Sequence, residues 1–236
     1  MVDEQVERPR RRRRRGVGWL VSRLLLLAIA VACLPILLVP LYAVANPPWS
    51  TLQAWQELNR IDTTRRWVPL EEISPNLVNA VMMSEDGQFC AHQGVDWAAV
   101  QEVLDRNADR PRGASTIPMQ VAKNMFLWPS RSYLRKGLEI PIAYYLDTVW
   151  EKRRTMEIYL NIVEWGPGVF GAEAAAQHWF GKPAANLTAS EGALLAVTLP
   201  NPRLRNPAQP SAQLRRLAGI IERRARQAGS YVGCLK

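Results

Sequence analysis

Cysteine and histidine are scarce in this chain of 236 residues, with three of the first and two of the second. Cys33 lies inside an apolar run. The remaining Cys90, Cys234, His92 and His178 show neither C-x2-C nor H-x3-H spacing, so a structural zinc site is not expected. No serine has lysine three positions later and K-T-G is absent, which excludes an acyl-enzyme of the penicillin-binding type. Alternating strand patterns are rare. "GPGVFG", 166–171, matches G-x-G-x-x-G literally, but it follows a helical pattern and lacks the strand a dinucleotide loop requires. Charge is missing altogether between Leu24 and Ala45.

That last gap organises the chain. It spans 22 residues, and a helix needs about 20 apolar residues to cross a bilayer core. Pro35 and Pro40 are tolerated in such a helix. A cleaved signal peptide is the alternative, with "AVAN" at 43–46 as its cleavage site, but its apolar region would be about 7–15 residues long. Ahead of the run stand Arg8 and Arg10 to Arg15, and residues 1–23 carry eight arginines against Asp3, Glu4 and Glu7. The positive-inside rule then predicts a cytoplasmic N-terminus and an outer domain from about Asn46, periplasmic in a bacterium with two membranes. The adjacent span accounts for the arginines, and no nucleic-acid partner is expected. The expected divisions are a basic N-terminus over 1–18, an anchor over 19–45, a linker and membrane-proximal segment over 46–66, and the main domain over 67–236.

Helical punctuation dominates that domain. Ser74 and Pro75 suit an N-cap and first helical position, with Gly87 as the stop. Ser115 or Thr116 would cap the helix that carries Pro118. Apolar residues recur at threes and fours from Leu146 through Val149, Met156, Leu160 and Val163, which reads as continuous helix. Thr188 with Glu191 forms a capping box, and "PSAQLRRLAGIIERRARQAG" is an amphipathic basic helix ending at Gly229. The fold class is mostly α.

Two clusters carry chemistry. In "SEDGQFCAHQGVD", 84–96, Glu85 falls at a helix end, where the carbonyl dipoles disfavour ionisation and should raise its pKa. A carboxylate so raised suits a general base near neutrality. The second cluster sets Gln120, Lys123, Arg131, Arg135 and Lys136 around Glu139. Cations beside the apolar "MFLW" suggest an anionic group presented at a membrane surface, the alternative being a solvated helix face.

Together these segments resemble the biosynthetic peptidoglycan glycosyltransferases (glycosyltransferase family fifty-one) in their monofunctional, membrane-anchored form. "EDGQFCAHQGVD" matches the family's E-D-x-x-F-x-x-H-x-G-x-D at Glu85, Asp86, Phe89, His92, Gly94 and Asp96. "GASTIPMQVAKN" resembles G-G-S-T-I-x-x-Q-x-x-K-N, with Ser115, Thr116, Gln120, Lys123 and Asn124 in place. "RKGLE" resembles R-K-x-x-E, and "KRRTMEIYLN" carries Lys152, Tyr159 and Asn161 of the fourth motif. "GVFGAEAAAQHWFGK" resembles the fifth. Ala114, Pro118, Thr155-Met156 and Trp179 depart from the usual residues without removing a charge.

The resemblance implies a lysozyme-like helical domain with a membrane-facing small lobe. It also implies polymerisation of lipid II onto a glycan held on undecaprenyl diphosphate, with inversion to a β-1,4 bond. Glu85 would be the base, with Glu139 the second acid of the site, positioning cations or the donor. Lys123, Arg131, Arg135 and Lys136 would hold the diphosphate, with Gln120, Ser115 and Thr116 beside them. No cofactor is required, although stimulation by magnesium or manganese is implied; no dedicated ligand set is visible. Cell-wall synthesis and division proteins are the implied partners, and no transpeptidase activity is expected. A lysozyme-like lytic enzyme is the alternative.

Two further expectations come from the residues themselves. "NMFLWPSRSYL", 124–134, reads as a membrane-dipping segment, against ordinary core packing as the alternative. Cys90 and Cys234 are the only cysteines outside the span. A disulfide between them is expected, the alternative being two unrelated thiols.

Overall fold

The apolar N-terminal run forms one long helix, α1 (Val17–Tyr42), whose side chains are exposed along most of its length. By length and composition it can cross a membrane. The computed structural model describes residues 17–105, 115–130 and 132–235, so Arg131 lies outside the described residues. Pro40 has no N–H to give the carbonyl of Ile36, and Tyr145 Oη donates to that carbonyl at 3.1 Å. Trp150 Nε1 donates to Val39 O at 2.6 Å, and the Arg154 guanidinium donates to Tyr42 O and Ala45 O. The domain thus adds donors at the helix's C-terminal end to those the following turn gives to Val39, Pro40 and Leu41, with a cation at the negative end of its dipole.

Two groups of helices make the domain. α2 (Thr51–Leu58) packs on α5 (Ile117–Phe126), which also meets α6 (Tyr133–Val149) and α7 (Lys152–Ile162). On the other side α3 (Pro75–Glu85), α9 (Ala189–Thr198) and α10 (Ala212–Arg226) pack together. Gly192 makes the α3–α9 approach close, because a Cβ there would meet the Asn76 and Leu77 backbone at 3.0 Å. α4 (Trp97–Asp105) and α8 (Ala172–Phe180) complete the helices. Three short strands, β1 (Thr64–Arg65), β2 (Glu164–Gly166) and β3 (Val169–Phe170), form a sheet in the order β1-β3-β2, with β1 parallel and β2 antiparallel to β3. The core runs through Leu77, Met82, Phe89, Ile117, Met156, Tyr159 and Trp165, all essentially inaccessible.

The caps follow the sequence closely. Ser74 accepts from Asn76 N with Pro75 in the first turn, Thr116 accepts from Met119 N, and the Thr188–Glu191 capping box is complete. Three boundaries differ. α3 stops at Glu85 with Asp86 as its C-cap, and Gly87 is not in a left-handed conformation. The stretch from Leu146 to Val163 is two helices, because Trp150 turns extended to reach α1. α10 ends at Arg226, and the chain continues as a 3-10 segment, Gly229–Leu235. The segment 46–66, expected as a linker, carries α2 and β1. It is tied to the domain by Thr51 Oγ1 donating to Asn124 O and Leu127 O, and by the β1–β3 pairing.

The run 124–134 divides. Leu127 and Met125 are buried, Phe126 is half-buried, and Trp128, Tyr133 and Leu134 are exposed. Apolar surface therefore continues from the loop onto α6, next to α1.

Cys90 and Cys234 form a disulfide with Cα atoms 5.6 Å apart, closing a loop of sequence separation 144. Cys234→Ser should lower stability by about 2–5 kcal/mol, since the bridge restrains a long loop in the unfolded chain. Thermal unfolding of the detergent-solubilised protein, with and without reductant, measures this. Equal midpoints would show that the bridge contributes nothing.

Candidate active site

Glu85 sits at the last position of α3, lining a cleft of about 510 Å³ with Ser84, Asp86, Gln88, Ser115 and Thr116. Burial raises its pKa above the ordinary carboxylate range. Hydrogen bonds from Gln120 and Ser84, and the positive charges of Lys123 and Arg205, offset part of that rise. The direction agrees with the helix-end argument, but the dominant cause is desolvation. Gln120 Nε2 donates to Glu85 Oε2 at 3.1 Å, while Gln120 Oε1 accepts from Tyr159 Oη at 3.0 Å. Tyr159 is fully buried, and its pKa is pushed well up by burial and by the negative charges of Glu85 and Asp86. Its phenol therefore remains a donor, and this orients the Gln120 amide toward the carboxylate.

Asp86 faces the other way. Its carboxylate accepts from His92 Nε2 at 2.9 Å and from Ile117 N, in the first turn of α5, at 2.9 Å. One side chain thus joins the end of α3, the following loop and the start of α5. Lys152 holds the same loop from beneath, donating to His92 O at 2.7 Å, pairing with Asp147, and lying over the Phe89 ring. Thr116 Oγ1 donates to Gly94 O at 2.5 Å. Gly94 has φ +74° and backs directly onto the Ala143 carbonyl, so no side chain fits there. Asp96 caps α4 through Ala99 N, and Asn161 bonds both backbone groups of Val68. Asn124 is buried on α5.

The cations form a second group. Glu139 is buried and paired with both Arg135 and Lys136. Arg135 Nε also donates to Ser130 O at 2.7 Å, and Lys136 Nζ to Ser115 Oγ at 2.6 Å. Lys123 makes no hydrogen bond or ion pair among the described residues. Burial lowers its pKa, Arg135 and Lys136 lower it further, and Glu139 and Glu85 oppose the change. With Arg135 and Leu52 it lines a cavity of about 170 Å³. Among the described residues no three His, Cys, Asp or Glu side chains form a group able to hold a metal.

Sequence reasoning passed over Arg205, whose charge reaches Glu85, and Arg224, Gln227 and Tyr231, which line the cleft. They fall outside every motif; Arg205 comes from the loop between α9 and α10, and the other three from the end of α10 and the segment after it.

The domain is mostly helical, with a desolvated carboxylate in its cleft, a group of cations beside it and an apolar helix suited to anchoring. A family model described as Transglycosylase matches residues 53–226. A biosynthetic peptidoglycan transglycosylase of Agrobacterium fabrum is 57% identical over 219 residues, covering 92% of this chain and 97% of the relative. Relatives of the same name in Brucella suis and Rhizobium leguminosarum are 52% and 50% identical, over 93% and 96% of this chain and 99% of their own lengths. The chain belongs to the transglycosylase family.

Asp86→Ala would leave the His92 and Ile117 N–H groups without an acceptor in a buried position. Each such loss costs about 1–3 kcal/mol, so a combined fall of roughly 2–6 kcal/mol is expected by chemical denaturation. A change under about 0.5 kcal/mol would show that Asp86 does not join these elements.

Proposed function

We propose that this chain polymerises lipid II into the glycan strands of the bacterial cell wall. Its family and the names of its relatives support this reading. The observation that carries it is the desolvated Glu85, oriented by Gln120 and Tyr159 and within electrostatic reach of the Lys123 cation. A sugar hydroxyl is a weak nucleophile, so a base must accept its proton as the new bond forms. Glu85 takes the proton from the 4-hydroxyl of the acceptor lipid II, which attacks the anomeric carbon of the donor glycan with inversion. The bond to the diphosphate breaks, and undecaprenyl diphosphate leaves with the electron pair.

That leaving group needs charge neutralisation more than a proton. Lys123 makes no hydrogen bond or ion pair among the described residues, and Arg135 and Lys136 are held as a fork by Glu139. Glu139 is therefore a positioning residue, as its burial between two cations suits. Gln120, Ser115 and Thr116 line or support the same site. A hydrolase cutting a sugar–sugar bond has no diphosphate to neutralise, and the cation cluster favours transfer over lysis.

α1 then anchors the enzyme in the inner membrane, with the arginines cytoplasmic and the domain periplasmic. Trp128, Tyr133 and Leu134, exposed beside the cations, meet the lipid headgroup region.

Glu85→Gln should reduce polymerisation by the ~10²–10⁴-fold typical of a lost general base while preserving the fold, because amide and carboxylate are close in shape. Labelled lipid II measures this, and more than about a tenth of wild-type rate remaining would contradict the assignment. The base acts ionised, so activity should rise with pH through the raised pKa of Glu85. Gln120→Ala removes a bond that favours the ionised form, and the acid limb of kcat/KM should move to higher pH. A limb that stays in place would remove Gln120 from the mechanism.

A further inference from the structure

The cleft that holds Glu85 has a wall that the chemistry above does not use. Arg224 and Gln227, near the end of α10, line it together with Tyr231 of the C-terminal segment. The family match ends at 226, so Gln227 and Tyr231 lie beyond it. The C-terminal segment does not dangle. Cys234 is bonded to Cys90, five residues from Glu85, Val232 and Leu235 are buried, and Arg153 donates to the carbonyl of Leu235. This strap presents Tyr231 half-exposed. A second cavity of about 310 Å³ continues past it, lined by Gly87, Gln88, Cys90, Ala91 and Ser230. Tyr231, Gly87 and Gln88 belong to both cavities, so the cleft continues as a groove over the disulfide.

Arg224 is exposed, and its guanidinium has no hydrogen bond or ion pair among the described residues. A free guanidinium, a phenol face and a side-chain amide on one wall suit a carboxylate-bearing sugar conjugate: the fork for the carboxylate, the ring for a pyranose face, the amide for hydroxyls. The diphosphate belongs with Lys123, Arg135 and Lys136, and Lys136 meets the cleft lining at Ser115. The remaining anions of the substrate are the carboxylates of the peptide on each muramyl sugar.

We infer that the disulfide-held C-terminal strap and the end of α10 form a subsite for the peptide-bearing muramyl unit, with Arg224 receiving a peptide carboxylate and Tyr231 packing on the sugar. The inference rests on the transferase reading and deepens it. It makes the strap part of substrate recognition, with Arg224, Gln227 and Tyr231 acting on binding and Glu85 on the chemical step.

The test uses the full-length protein in detergent and two lipid II preparations, one with free peptide carboxylates and one with them amidated. Wild-type KM should rise about tenfold on amidation, the size of one lost charge-assisted hydrogen bond. Arg224→Gln should show the raised KM on both substrates, with kcat essentially kept. Tyr231→Ala should raise KM on both while still discriminating between them. Cys234→Ser, or reductant, should reproduce the KM increase by releasing the strap. Equal wild-type KM on the two substrates, or continued discrimination by Arg224→Gln, would overturn the subsite and leave the transferase reading intact. A wild-type protein that polymerises neither substrate would overturn the reading and the subsite with it.

Discussion

The Asp86 carboxylate is the junction on which the site depends. It takes a hydrogen bond from His92 in the loop after α3 and another from the first turn of α5. A negative charge at a helix N-terminus is favourable, and here it also fixes where that helix begins. With α5 set against the end of α3, Gln120 comes within hydrogen-bond distance of Glu85 and Lys123 within its electrostatic reach. Adjacent acids in the sequence thus have separate work. Asp86 is satisfied and structural, whereas Glu85 lies in a cleft and, among the described residues, has one amide donor and one hydroxyl contact.

A similar division separates the cations. Arg135 and Lys136 share one counter-charge in Glu139, which costs them part of their attraction for an outside anion but fixes their positions. Lys123 is the opposite case. It is desolvated, close to two other positive charges and without a hydrogen bond or ion pair among the described residues, so an arriving anion would relieve an unfavourable arrangement. Ordering and attraction are therefore supplied by different residues of one cluster.

The apolar helix is more than a tether. Trp150 and Arg154, at the break between α6 and α7, bind its last carbonyls, and Tyr145 fills the one that Pro40 leaves free. Since α6 carries the cations at its N-terminal end and holds α1 at the other, the orientation of the helix and the placement of the cation cluster are mechanically linked. Exposed Tyr133 and Leu134 lie on that same helix.

Local signals were legible in the residues: the caps at Ser74, Thr116 and Thr188, the uncharged run of α1, and the ordered motifs that carry Glu85, Lys123 and Glu139. These depend on chemistry within a few positions, which a linear reading can weigh. The break at Trp150 was not legible, because apolar spacing continues on both sides while its cause, a carbonyl 111 positions away, is distant. Nor was the true source of the Glu85 shift, since burial is a property of the assembled cleft and not of a helix end. Pairing Cys90 with Cys234 could be expected by composition, but only folding brings two residues separated by 144 positions to a Cα distance of 5.6 Å. The sequence alone determined which residues could serve as acid, base and cation. Tertiary packing decided which of them are free to act, because desolvation and pairing are set by neighbours remote in the chain.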